Sequence, residues 1–180
     1  GNSGTPPWKT VDGTGGWGGN HGQPVATAVD ATGVYLGWTS TEGPWVIHKR
    51  THDGAHGLWG IGLGAFEGVA ALAVDQEFLY GVNSKRVMLI DPNTGGMLAY
   101  APVSPSKPED ATPGPAEDPR SLSGTFRKSG VRGMAVSGRC VYVSMPWLDR
   151  IDVFEVTEKV EKERTKYQLE PRPDASIPLR

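Results

Sequence analysis

Four histidines fall between positions 21 and 56, and His48, His52 and His56 are spaced by four with Asp53 among them. On a helix that spacing would gather imidazoles on one face, as zinc sites do. Here His48 lies in the apolar stretch Val46-Ile47-His48, His52 opens a turn through Asp53-Gly54, and His56 follows that turn. The three are therefore expected to diverge, and no metal site is expected. Acid–base catalysis needs two positioned groups of tuned pKa. Glu42, Glu67, Asp149 and His21 are available, but nothing in their spacing selects a pair. Gly15-Gly16-Trp17-Gly18-Gly19 lacks the Lys-Ser/Thr and the helix that a phosphate loop requires. No serine nucleophile elbow and no dinucleotide fingerprint occur. The lone Cys140 precludes an internal disulfide or a Cys-rich zinc site. No cofactor is expected.

The backbone that must carry these residues is heavily interrupted. Glycine takes 25 of 180 positions and proline 15, together about twice the usual share of roughly 12 %. Both are poor helix formers, so a helical bundle is excluded, and the glycines lack the three-residue period of collagen. Six Trp, five Tyr and four Phe can supply a core. The formal net charge of −2 gives no basic face for nucleic acid. No apolar run approaches the roughly 18 residues of a membrane span. The first residues, Gly1-Asn2-Ser3-Gly4, hold neither Met nor a signal-peptide core, so a trimmed chain or a fragment is expected.

A repeat organises the interruptions. Three windows align without a gap: Ala28 to Leu36, Ala73 to Gly81 and Ala135 to Val143, each with Ala-Val at its start and a Val- or Leu-preceded Tyr (Tyr35, Tyr80, Tyr142) near its end. Each reads as a strand, a tight turn and a returning strand, with Asp30 and Asp75 as turn formers and the tyrosines as structural. A second signature follows, an apolar strand running into a Gly-ended turn: Arg50 to Gly54 and Ile90 to Gly95. An aromatic stands five residues beyond each glycine, Trp59 and Tyr100, and both are expected to pack. Lys9 to Gly13, with Trp17 after it, repeats this signature at the start of the chain. In the middle unit the strands are expected near Val69–Val74, Phe78–Val82, Arg86–Ile90 and Met97–Ala101. Four strands per roughly 45 residues is the period of a β-propeller blade. A β-sandwich would not require an ungapped repeat at that spacing.

The stretch Leu79-Tyr80-Gly81-Val82-Asn83 followed by Val87 to Gly95, with its Asp91-Pro92-Asn93-Thr94-Gly95 turn, resembles the blade repeat of bacterial quinoprotein-like, YVTN and NHL-type propellers. The resemblance covers about residues 5–160. In the third unit Glu155-Val156-Thr157-Glu158 stands where the Asp-x-x-Thr-Gly turn belongs, and there is no haem-attachment motif. The expected fold is all-β: propeller blades of four antiparallel strands, forming an incomplete propeller. Residues 1–19 are the outer half of a preceding blade, 20–65, 66–103 and 129–160 are blades, and 104–128 form a Pro-rich inter-blade insertion. Residues 161–180 form a charged hairpin or outer strand and a tail. Three and a half blades leave two apolar faces uncovered, so the expected partners are the remaining blades, from the same or another chain.

Propeller geometry gathers two loop classes around the channel mouth. Candidate ligand-binding residues there are Trp17, His21, Trp38, Glu42, Trp45, Glu67, Arg132, Trp147 and Asp149, joined by Asn83 and Lys85. Indoles with acidic and amide groups suit stacking against a sugar or other flat ligand. The alternative role for each Trp is to wedge blades together. Function divides into two classes. The favoured one is a non-catalytic scaffold or recognition surface within a larger protein or complex, binding a carbohydrate or protein ligand. The other is part of a propeller enzyme, a carbohydrate-active lyase or hydrolase or a quinone-linked oxidoreductase. The resemblance implies an extracytoplasmic, periplasmic or secreted, location.

Overall fold

The computed structural model describes residues 24–38, 46–62, 68–83, 85–103, 131, 133–145, 148–161 and 164–179. Strands β1 (Pro24–Asp30), β2 (Gly33–Trp38), β3 (Ile47–Arg50) and β4 (Gly57–Ile61) form one antiparallel sheet in chain order, blade 1. Strands β5 (Ala71–Val74), β6 (Leu79–Val82), β7 (Arg86–Ile90) and β8 (Met97–Pro102) form blade 2 in the same way. Blade 3 comprises β9 (Gly133–Ser137), β10 (Cys140–Met145), β11 (Arg150–Glu161) and β12 (Arg164–Pro171), with the short β13 (Ile177–Pro178) also on β11. The fold is all-β, built from propeller blades of four antiparallel strands. A short 3-10 turn stands at Pro173–Ala175.

The repeated windows are the three inner hairpins. Asp30 closes the first turn, its Oδ1 accepting from the backbone N–H groups of Thr32 at 2.6 Å and Gly33 at 2.9 Å, while Oδ2 accepts from the Tyr35 hydroxyl at 2.6 Å. Asp75 repeats the device with Glu77 N, Phe78 N and the Tyr80 hydroxyl, each at 2.8 Å. A short carboxylate that caps its own turn favours the tight reversal over a continued strand.

Alternation along the strands builds the core. Tyr35 and Ile47 of blade 1 pack with Leu72, Leu79, Met88 and Ile90 of blade 2. The other face of blade 2, Tyr80, Val82, Val87 and Leu89, packs with Val141, Val143, Met145, Phe154 and Val156 of blade 3. Blade 2 is thus covered twice, and every residue of β6 is buried. In β10 burial alternates, with Val141, Val143 and Met145 buried and Cys140, Tyr142 and Ser144 partly exposed. Each large aliphatic side chain buried in these seams contributes about 1.5–3 kcal/mol relative to exposure.

A polar clasp joins blades 1 and 2. The Pro92 carbonyl, in the β7–β8 turn, accepts from Lys49 Nζ at 2.7 Å and from the Trp59 indole at 3.2 Å, and lies 3.4 Å from the Tyr35 hydroxyl oxygen, whose proton is directed to Asp30. Gly95 has φ +74°, and a Cβ there would stand 2.9 Å from the Trp59 ring. Only glycine allows both that backbone and so close an aromatic.

Tyr100 departs from expectation. It is 62 % exposed and lies over the Arg86 guanidinium at 5.7 Å instead of packing between blades. The register gives the reason. Trp59 pairs with Lys49, and the matching pair in blade 2 is Ala99 with Leu89. Both outer turns span six residues, closed by Thr51 N to His56 O and Asp91 N to Gly96 O. Gly54 is the fourth residue of its turn and Gly95 the fifth, so counting from glycine shifts the alignment by one.

Blade 3 has a longer hairpin. β11 pairs with β10 over Arg150–Glu155 and with β12 over Phe154–Glu161. The small Ala99 and Ala101 of β8 let this hairpin pack closely, with Leu169 buried and Tyr167 edge-on to Phe78 at 5.0 Å. Arg139 ties the same seam, 2.5 Å from Glu158 and 3.7 Å from Glu77.

Candidate functional site

In each blade the first-to-second and third-to-fourth strand turns lie at one end of the sheet. The ligand-binding residues were placed at the other end. Of these, Trp17, His21, Glu42, Trp45, Glu67, Arg132 and Trp147 lie outside the described residues. Trp38 is 5 % exposed, its ring 6.0 Å from that of His48. Its backbone joins two blades, the N–H donating to Val46 O and the carbonyl accepting from Val69 N at 3.0 Å. Asp149 adopts φ 48° just before β11, and its carbonyl accepts from Leu179 N at 2.6 Å. Trp38 and Asp149 belong to blades 1 and 3, with blade 2 between them. Asn83 is buried, and its Oδ1 accepts from Lys85 N and Arg86 N at 2.9 Å, fixing the β6–β7 loop.

The three histidines have different surroundings. His48 is buried beside Trp38, the His52 ring bonds the Asp30 carbonyl oxygen at 2.8 Å, and His56 is exposed. Among the described residues no group of three or more His, Cys, Asp or Glu is placed to hold a metal ion.

The densest polar cluster lies at the opposite end. Lys49 is buried, yet its ammonium is satisfied: Thr32 Oγ1 at 2.6 Å, Pro92 O at 2.7 Å and the Tyr35 ring 5.0 Å away. Partial burial alone would raise the Asp30 carboxyl, but donors from Tyr35, Thr32 and Gly33 outweigh it and hold the pKa at about 2. Burial and the Asp30 carboxylate push the Tyr35 phenol far up, and burial with Asp75 does the same to Tyr80. Asp91 is held down by the Thr94 hydroxyl. The bonds that lower Asp30 and Asp91 and raise Tyr35 run within the turns and across to the next blade, so the cluster is a clasp between blades. Sequence reasoning missed it. Its signal was a lysine at an inward position of β3, two residues from Ile47.

A groove of about 570 Å³ runs between β8 and β12, lined by Met97, Tyr100, Lys159, Tyr167, Gln168 and Glu170 among others. It mixes aromatic and charged groups and shows no convergent pair.

No protein-family model matches the chain, and neither does any curated protein. Solved structures do. The chain is similar to BamB from Moraxella catarrhalis, with a TM-score of 0.52 and 13 % identity over 87 % of this chain and 38 % of that one. It is similar also to Hsv2 of Kluyvelomyces marxianus, with a TM-score of 0.58 and 13 % identity over 88 % of this chain and 47 % of that one. The likeness is one of fold, the β-propeller. The chain spans less than half the length of either. Among the described residues no helix is long and apolar enough to cross a membrane.

Proposed function

We propose that the chain is one sector of a propeller of the quinoprotein-like, YVTN and NHL-type group and serves as a non-catalytic scaffold and recognition surface in a larger protein or complex. The observation that carries this reading is where the perturbed groups are spent. Among the described residues, Asp30, Tyr35, Tyr80 and Asp91, whose titration is displaced, are engaged in turns and in the seams between blades, and Arg139, Glu161, Arg172 and Asp174 are engaged in ion pairs. A catalytic site would instead hold a displaced acid or base in a cleft, free to meet substrate. The recognition surface is the channel mouth, with Trp17, His21, Trp38, Glu42, Trp45, Glu67, Arg132, Trp147 and Asp149 around a carbohydrate or protein ligand. The low cysteine content and the repeat fit an extracytoplasmic location.

The test is a glycan array and a quinone-reduction assay on the complete protein. The expected result is retention of ligand, or no binding, with every glycan intact and no electron transfer. Cleaved glycan or reduced quinone overturns the reading.

A further inference from the structure

We infer that the face of blade 3 bearing Tyr142 is a blade seam, occupied by a further four-stranded blade of the same repeat. The inference rests on the reading of this chain as a sector of a larger propeller and names the surface and polarity of the join.

Register comes first. Tyr35 faces blade 2 and Tyr80 faces blade 3, each within a filled apolar seam. Tyr142 holds the same place in β10, paired with Ala135 and Val153 as Tyr80 is paired with Ala73 and Leu89. Val141, Val143 and Met145 point the other way, into blade 2. The face with Tyr142 is therefore the continuation of the two seams already formed.

The surface of that face is apolar. Ile151 pairs with both Ser144 and Ile177, which sets all three on the Tyr142 side. Ile177 is 45 % exposed, and Leu179, beyond it, is 41 % exposed. Toward the outer edge the face turns polar, where Arg172 pairs with Glu155 and Asp174. An apolar inner part with a satisfied ionic rim is the anatomy of an interface.

The third observation is the tyrosine hydroxyl. Asp30 and Asp75 accept from Tyr35 and Tyr80 within their own blades. Ser137 stands at that position in blade 3, and the Tyr142 hydroxyl has no hydrogen-bond partner among the described residues. Tyr35 also reaches across its seam to the Pro92 carbonyl of the next blade. Tyr142 is set to donate in the same direction, to the outer-turn carbonyl of its neighbour. The neighbour presents the face that blade 2 turns to blade 1, with aliphatic side chains at the positions of Leu79, Met88 and Ile90.

Cys140, partly exposed, lies two residues from Tyr142 on this face and is the chain's sole cysteine. Its reaction with a maleimide, mapped by mass spectrometry, is followed in the protein purified from its native source, folded and after unfolding in urea. Occupation of the seam predicts a rate at least about tenfold slower in the folded protein, the protection expected of a buried group that reacts only on local opening. A photo-reactive benzoylphenylalanine in place of Ser144 in the full protein should cross-link into a strand carrying the same repeat. Native protein of larger mass whose Cys140 reacts as fast folded as unfolded overturns the inference and leaves the scaffold reading standing. So does a cross-link into a polypeptide without the repeat. A native monomer of 19.2 kDa overturns both.

Discussion

Asp30, Tyr35 and their blade 2 counterparts show how one carboxylate serves two purposes. It caps the turn and orients the phenol that faces the next blade. Tyr80→Phe deletes the bond to Asp75 but leaves the turn N–H groups capped, so it should cost roughly 1–2 kcal/mol in urea denaturation. Tyr142→Phe deletes a hydroxyl without a partner among the described residues, and in the lone chain should fall within about 0.5 kcal/mol of wild type. A Tyr80→Phe loss as small as the one expected for Tyr142→Phe would show that the Asp–Tyr pair contributes nothing. The same carboxylate sets an acid dependence. The Asp30 pKa is lowered from 3.8 to about 2 in the fold, so the native state binds the proton less readily than the unfolded one. Its stabilisation is complete above about pH 4 and is lost as pH falls toward 2. Asp30→Asn keeps an oxygen for the turn and should flatten the stability profile between pH 4 and 2, as read by thermal melts across that range.

The β7–β8 turn clasps blade 2 to blade 1, and at Gly95 it lies close against the Trp59 ring. Gly95→Ala adds left-handed strain of roughly 1–2 kcal/mol and, with a Cβ 2.9 Å from Trp59, an overpacking cost of about 1–3 kcal/mol. Gly138 also has positive φ, +57°, but nothing within 4 Å of its Cβ position, so Gly138→Ala should cost only the strain. The gap between the two variants in chemical denaturation measures the Trp59 contact, and its absence would mean that the indole is free to move aside. The inner hairpins were legible because Ala, Val and Tyr recur at fixed offsets, with the Asp that caps the turn in two of the three, and these residues act within a few positions of one another. The strands expected near Phe78–Val82 and Arg86–Ile90 appear as Leu79–Val82 and Arg86–Ile90. The equivalence of Tyr100 with Trp59 failed because two six-residue turns place glycine differently, which only the ladder register reveals. Lys49 was overlooked because the Pro92 carbonyl that accepts from it belongs to another blade, 43 positions away. Of the proposed mouth residues, Trp38 is buried against His48 and Asp149 sits in a left-handed turn. Spacing alone does not show burial, and these positions remain proposals for ligand contact.

Among the described residues, blade 2 packs against another blade on both faces, while blades 1 and 3 each pack against another blade on one. Val29 and Leu58 are 60 % and 51 % exposed at one flank, and Ile177 and Leu179 are exposed at the other. Apolar faces of this kind are covered in a stable soluble protein, and the resemblance in fold spans 38 % and 47 % of two longer propellers. Both facts fit the proposal that the chain is a sector of a larger ring. Native mass spectrometry of the protein taken from its own source tests this most directly. The account predicts a species well above 19.2 kDa in which this sequence supplies only some of the blades. A folded monomer of 19.2 kDa, persisting without any partner, would contradict it.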